Sequence, residues 1–457
     1  MSFNSLEFLC FLPLVWIAFW ALNRHLRLQN LWIVIASYLF YGWWDARFLV
    51  LIAFTSGWSY VVGLLELRRW EAKPSKLLLT ASLVVNLGVL GYFKYCNFFL
   101  DSLGISDVVA VKVILPVGIS FYTFQALSYT IDVYRRQIRP TRDPFAFFAF
   151  ISFFPQLVAG PIERATNLLP QFLVRKTFDY PQAVDGCRQM LWGFFKKMVV
   201  ADNLSAIVKI LLPPDQSNGG AVALGMLFFT IVIYADFSAY SDIAIGCGRL
   251  FGVRLRQNFA FPYFSRDIAE FWRRWHMSLT TWFRDYVYIP MGGSRCSKAR
   301  QVRNTFAIFL LSGLWHGANW TFVLWGALHA CLFLPLLLCG RNRRHCGEFG
   351  FAPFMLLAVC AGWLLFYAPS IGTCAGWFAA LATPSSWTVI ADLPHEFGIG
   401  LGAAVFLFAA EFLNRRCEYG FARYPRLVAL RWTLYLLLVA AIVLCAPASH
   451  DFVYFQF

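Results

Sequence analysis

The stretch Leu311-Ser-Gly-Leu-Trp-His316-Gly-Ala-Asn-Trp320 lies between two apolar runs, residues 303–317 and 319–339. An apolar segment of about 20 residues is what a helix needs to cross the hydrocarbon core of a bilayer. Further runs that span, or nearly span, lie near 6–22, 31–45, 48–65, 77–95, 108–130, 145–160, 188–212, 221–248, 350–368, 398–413 and 430–446. Several are short or broken by Gly and Pro, which places them inside the protein or makes them re-entrant, because lipid cannot satisfy free backbone groups. The pattern predicts an all-α, polytopic transmembrane helical bundle of roughly ten to twelve spans plus interfacial and re-entrant helices. Little chain remains for a soluble domain, so 1–457 reads as one integral membrane domain.

Composition agrees. Of 457 residues, 59% are hydrophobic and 14% charged, against about 25% charged in soluble domains. Aromatics reach 19%, with 18 Trp and 48 Phe, which suits aromatic belts at both membrane interfaces. The net charge is +15. In so apolar a chain, Lys and Arg mark cytoplasmic loops and meet anionic headgroups, so the expected partner is the lipid bilayer and not nucleic acid. The 12 Cys form no Cys-x-x-Cys pair and fall mostly in apolar runs. They read as small buried hydrophobes, with neither disulfides nor a metal expected.

The first apolar run has no basic region before it and is followed by Arg24 and Arg27. That is the pattern of a retained span, not a cleaved signal, with the N-terminus outside. Basic loops at 23–29, 66–76, 135–142, 249–256, 341–345 and 414–426 contrast with loops poor in Lys and Arg at 96–108, 369–373 and 384–398 and in the tail 446–457. The contrast predicts a multi-pass protein of the cell inner membrane with both termini periplasmic or extracellular.

Residues 265–300 differ from the rest. Ser265 can cap a helix there, and Asp267 and Glu270 suit its positive end. Ile268, Phe271, Trp272, Trp275, Leu279, Trp282, Phe283 and Tyr286 share one face, and Arg266, Arg273, Arg274, Arg284 and Asp285 fall elsewhere. Such a helix is expected to lie in the cytoplasmic interface plane. Its arginines Arg273, Arg274 and Arg284 would then face an anionic donor or, alternatively, lipid headgroups.

Polar groups inside a membrane are costly and ask for a reason. His316 is flanked by Gly313, Gly317 and Ala318, small residues that leave room for a substrate or let helices pack closely. Its imidazole could take a proton from a hydroxyl or could be a packing histidine. His276, at the edge of the apolar stripe, is either a second reactive group or an interfacial ring. His329, in the following apolar run, reads as structural, and His25, His345, His395 and His450 receive no role. Asp236, Ser238 and Asp242 form a polar cluster that either holds the bundle together or lines a cavity. Gln125 and Glu163 are weaker cases of the same kind, and Trp315 and Asn319 flank His316 as further candidates for a substrate tunnel. No nucleophile elbow, phosphate loop or dinucleotide fingerprint occurs at a credible place.

Five separated runs carry a resemblance. They are Pro116-Val-Gly-Ile-Ser-Phe121-Tyr-Thr-Phe-Gln125, Ser152-Phe-Phe-Pro-Gln156-Leu-Val-Ala-Gly160-Pro161, Phe237-Ser-Ala-Tyr240-Ser-Asp242, Phe271-Trp-Arg-Arg-Trp-His276 continuing to Asp285-Tyr-Val-Tyr-Ile-Pro290, and Leu314-Trp-His316-Gly317. In this order, over about 110–330, they resemble the membrane-bound O-acyltransferase family. The similarity is closest to its bacterial branch, which includes alginate O-acetyltransferase and the D-alanyl transferase of teichoic acid. The resemblance implies catalytic histidines at His316 and His276 and a narrow tunnel through the bundle. It also implies a cytoplasmic acyl thioester donor (acetyl-CoA or a carrier-bound thioester) as substrate, with no permanently bound cofactor. The acceptor would be a hydroxyl reached from the other side. By analogy the acetyl group would pass outward to an alginate-like or cellulose-like exopolysaccharide, finished by a periplasmic acetyltransferase partner. The alternatives are D-alanyl transfer to teichoic acid and, from other classes, a transporter or flippase with histidine proton relays or a secretion scaffold. No inverted repeat supports a transporter.

Overall fold

The computed structural model describes every residue except 106–112, 343–351, 389, 391–393, 424, 426, 448–451 and 453–457. His345, His450 and most of the tail expected outside the membrane lie beyond the described residues. Among those described, all regular structure is helical. Among the described residues, six helices are long and apolar enough to cross a membrane: Ala46–Arg68, Lys76–Ser102, Gly219–Leu250, Trp320–Leu338, Glu396–Leu413 and Val428–Cys445. Leu6–Ala21, Pro353–Tyr367 and Ile371–Ala382 are shorter apolar helices. The protein is therefore a multi-pass helical membrane protein, with fewer full-length spans among the described residues than apolar runs. The run at 145–160 shows why: it breaks at Phe153 into Pro144–Ser152 and Phe154–Leu157, with Pro155 in the first turn of the second piece, where a missing N–H costs nothing.

The chain divides into two compact units, Met1–Met190 with Ile243–Arg256, and Leu191–Asp242 with Gln257–Phe457. In the first unit the indoles of Trp16 and Trp20 both donate to the Leu250 carbonyl, and Asn30 donates to the Phe172 carbonyl at 2.8 Å. These bonds satisfy carbonyls far along the chain and fix where its helices meet.

The helix Gly219–Leu250 has 32 residues, or about 48 Å at the helical rise, and the second unit is built on its residues 219–242. Its most apolar window is 72% buried, so it is a core element. Tyr234 on this helix donates to Glu411 on Glu396–Leu413, and Tyr263 donates to the Thr230 carbonyl at 2.6 Å. Lys298–His316 and Trp320–Leu338 form a tight hairpin. A Cβ at Gly313 would collide with the Phe322 carbonyl, one at Gly317 with the Phe322 ring, and one at Gly326 with the Phe309 carbonyl. The small residues around His316 thus serve close helix packing; at Gly313 and Gly317 the space is already taken by Phe322.

The 265–300 segment departs from expectation twice. Its cap is Asp267, which accepts from the Glu270 N–H at 2.7 Å; Ser265 instead donates to the Pro262 carbonyl. It is also not one interfacial helix. Ile268–Arg274 and Met277–Phe283 are separated at Trp275–His276, and a π-helical turn, Arg284–Tyr288, follows. Its apolar stripe is buried in protein: Trp272, Trp275, Leu279, Trp282 and Phe283 are all core residues. A wide aromatic face has the same periodicity whether it meets lipid or other helices, and here it meets helices.

Candidate active site

The break at Trp275–His276 makes the site. His276 adopts φ 41°, ψ 53°, the left-handed region that a residue with a Cβ seldom occupies. Main-chain bonds on either side hold it there: the Ala260 N–H donates to the Arg274 carbonyl at 3.0 Å and the Met277 N–H to the Asn258 carbonyl at 2.8 Å. The turn rotates the His276 ring inward, so it is 1% exposed and not at the membrane boundary that its place on a helical wheel suggested. Burial pushes its pKa down to about 3, so the ring is a neutral imidazole at physiological pH.

His316 reaches the same place from another element. It is the last residue of Lys298–His316 and is 5% exposed. The two ring centroids are 6.2 Å apart. That is too far for a direct hydrogen bond of roughly 2.7–3.2 Å between nitrogens, and close enough for one oxygen to lie between them. Aromatic rings wall the pair. Trp315 lies 5.7 Å from His276, Phe237 packs edge-on to His276 at 4.8 Å, and Trp325 and Phe366 pack on His316 at 5.2 and 5.3 Å. Such a site holds two imidazoles close together in largely apolar surroundings, an arrangement that general acid–base chemistry can use.

Other expected residues separate into groups. Asp236, Ser238 and Asp242 meet two lysines that the sequence reading passed over. Lys196 Nζ lies 2.6 Å from Asp242 and donates to Ser238 Oγ at 2.8 Å. Lys197 Nζ lies 2.8 Å from Asp236 and 2.9 Å from Asp202. All are buried. The lysines begin a π-helical segment, Lys196–Ala201, a geometry that re-aims side chains within a helix. Adjacent lysines inside the apolar run 188–212 were the available signal.

Asn319 caps Trp320–Leu338 through the Thr321 N–H and donates to the Pro369 carbonyl at 2.9 Å. Gln125 is buried in the first unit, where it donates to the Phe150 carbonyl and accepts from Gln156 at 2.9 Å. Glu163, in the same unit, accepts from Asn167 at 2.7 Å and from the Arg256 N–H. His329 sits edge-on between Trp272 and Trp325, at 5.0 and 4.8 Å, a packing position. Among the arginines, Arg274 is occupied by Glu270 at 2.7 Å and by the Ala260 carbonyl at 3.2 Å. Arg273 is exposed and donates to the Asn342 carbonyl, and exposed Arg284 pairs with Asp285 at 2.7 Å. No His, Cys, Asp or Glu group suited to a metal occurs among the described residues.

Comparison with known proteins bears on this geometry. Residues 56–375 match the sequence model of MBOAT, the membrane-bound O-acyltransferase family. The chain is 38% identical to the probable alginate O-acetylase AlgI of Pseudomonas putida, over 100% of both chains. It is 34% identical to the peptidoglycan O-acetyltransferase of Helicobacter pylori, over 91% of this chain and 84% of that one. The teichoic acid D-alanyltransferase of Bacillus subtilis is 28% identical over 47% of this chain and 57% of its own length. A buried histidine pair in a multi-pass helical protein, matched to one family over most of its length, has a single reading: the chain belongs to the membrane-bound O-acyltransferase family and is an acyltransferase.

Proposed function

We propose that the chain is an O-acetyltransferase of the cell inner membrane that passes acetyl groups across the membrane for modification of an alginate-like or cellulose-like exopolysaccharide. The observation that carries this is the pair of buried imidazoles, His276 and His316, 6.2 Å apart between indole walls. His316 takes the proton of the acceptor hydroxyl, and the oxygen attacks the thioester carbonyl. A C–O bond forms, the C–S bond breaks, and the thiolate leaves and recovers the proton from the imidazole. His276 faces the same oxygen from the other side. Acetyl as the group transferred is supported by relatives named for O-acetylation of alginate and of peptidoglycan, which match over most of this chain. The D-alanyltransferase covers less than half of it.

The donor is a thioester on the cytoplasmic face, acetyl-CoA or a carrier-bound thioester, approached over Arg273 and Arg284. Arg274 is the weaker contributor because its side chain is only 16% exposed, against 58% for that of Arg284. Both termini lie outside, and a periplasmic acetyltransferase completes the transfer to polymer. The test is chemical. Surface polymers from a strain lacking this protein and from its complemented parent are assayed for ester-linked acetyl and for ester-linked D-alanine. Loss of acetyl with D-alanine unchanged is expected; loss of D-alanine alone would establish the alternative donor.

A further inference from the structure

Asn258, in the loop after Gly219–Leu250, grips the His276 turn at several atoms. Its carbonyl accepts from the Met277 N–H at 2.8 Å. Its Oδ1 lies 3.0 Å from His276 Nδ1, accepts from Ser278 Oγ at 2.8 Å, and is 3.4 Å from the Ser278 N–H. Its Nδ2 donates to Ser241 Oγ at 3.1 Å. The backbone N–H of Ser278 can only donate, so the atom it meets is the amide oxygen and not the nitrogen. An amide oxygen only accepts, so the His276 nitrogen facing it carries the proton. Nε2 is then the lone-pair nitrogen, and it is buried with no hydrogen-bond partner among the described residues.

We propose that Asn258 is a positioning residue that fixes His276 as its Nδ1–H tautomer, so that Nε2 offers a hydrogen-bond acceptor to the protonated group entering between the two imidazoles. This rests on the reading that His276 takes part in acyl transfer. The clamp does two jobs with one side chain. It sets which ring nitrogen is basic, and it closes the left-handed turn that brings the ring inward. The Ser278 N–H keeps the amide from flipping, because a flipped amide would place an NH₂ against it, and Ser241 on the core helix accepts from Nδ2.

The test uses the full-length protein in lipid. With histidine labelled with ¹⁵N, and His276 assigned from the signals lost in His276→Gln, Nδ1 should resonate as a protonated nitrogen and Nε2 as an unprotonated one. The opposite assignment would overturn the proposal without any change at Asn258. Transfer rates per inserted molecule then separate positioning from packing. Asn258→Leu should slow transfer by about 10- to 100-fold, below the 10²–10⁴-fold typical of losing an acid–base group itself. Asn258→Asp, which keeps an acceptor for Nδ1–H, should recover part of the loss. In a His276→Ala background Asn258→Leu should cause no further loss. If the two losses multiply, Asn258 does not act through His276. If His276→Ala alone is fully active, the reading beneath the proposal fails instead, and the proposal falls with it.

Discussion

Lys196 and Lys197 sit in a helix bulge where each ammonium is answered by buried carboxylates, whereas His276 sits in a left-handed turn with one ring nitrogen answered and the other open. Both sites are buried and polar, and both belong to the second unit. A saturated ionic network in a low-dielectric interior holds elements together and has little capacity left for a substrate. A half-satisfied imidazole costs stability; His276 carries its open nitrogen on a ring 6.2 Å from His316, whereas His329, with both ring nitrogens open, is packed between Trp272 and Trp325. The two sites share the helix Gly219–Leu250: Asp236, Ser238 and Asp242 face the lysines, while Phe237 and Ser241 serve the histidine.

If that division is right, substitutions should separate into losses of protein and losses of activity. Lys197→Met leaves Asp202 and Asp236 buried without their cation. Breaking a buried pair costs about 3–5 kcal/mol, so inserted, folded protein should fall sharply in thermal unfolding and expression measurements. Normal abundance with lost acyl transfer would instead move Lys197 into the reaction. Next in size is the donor face. Arg273→Glu with Arg284→Glu should raise the apparent KM for donor several-fold at low salt, with the effect shrinking as salt rises. A KM unchanged at low salt would leave these arginines as headgroup contacts. Smallest is the lipid face. Val428–Cys445 has only 6% of its window buried, and Leu437 is exposed on it. Leu437→Ala should leave both abundance and activity near wild type; a marked loss would mean that this face is covered.

The histidines illustrate how far residue order reaches. His316 stood out because a titratable ring between two apolar runs, among glycines, has few uses, and the structure places it beside His276. The reason for those glycines was not legible: Phe322, not substrate, fills the space at Gly313 and Gly317. The inward turn of His276 was hidden because a left-handed residue is usually announced by Gly or Asn, and here neighbouring backbone bonds from Asn258 and Ala260 impose it. Asn258 itself lies in an irregular loop with no periodicity to mark it. The lysine network was missed because a hydropathy average over 188–212 absorbs Lys196 and Lys197, and the π-helical segment that accommodates them has no sequence signature of its own. The multi-pass helical class needed none of these details, since it follows from apolar run lengths alone.

The central claim is that the histidine pair performs acyl transfer while the fold is held elsewhere. Its most direct test is the transfer rate of His316→Ala per molecule of inserted protein, measured beside its thermal unfolding in the same membranes. The account predicts unfolding close to wild type and a rate lowered about 10²–10⁴-fold, the usual cost of losing a general base. A His316→Ala protein that transfers acyl groups at nearly the wild-type rate would contradict it.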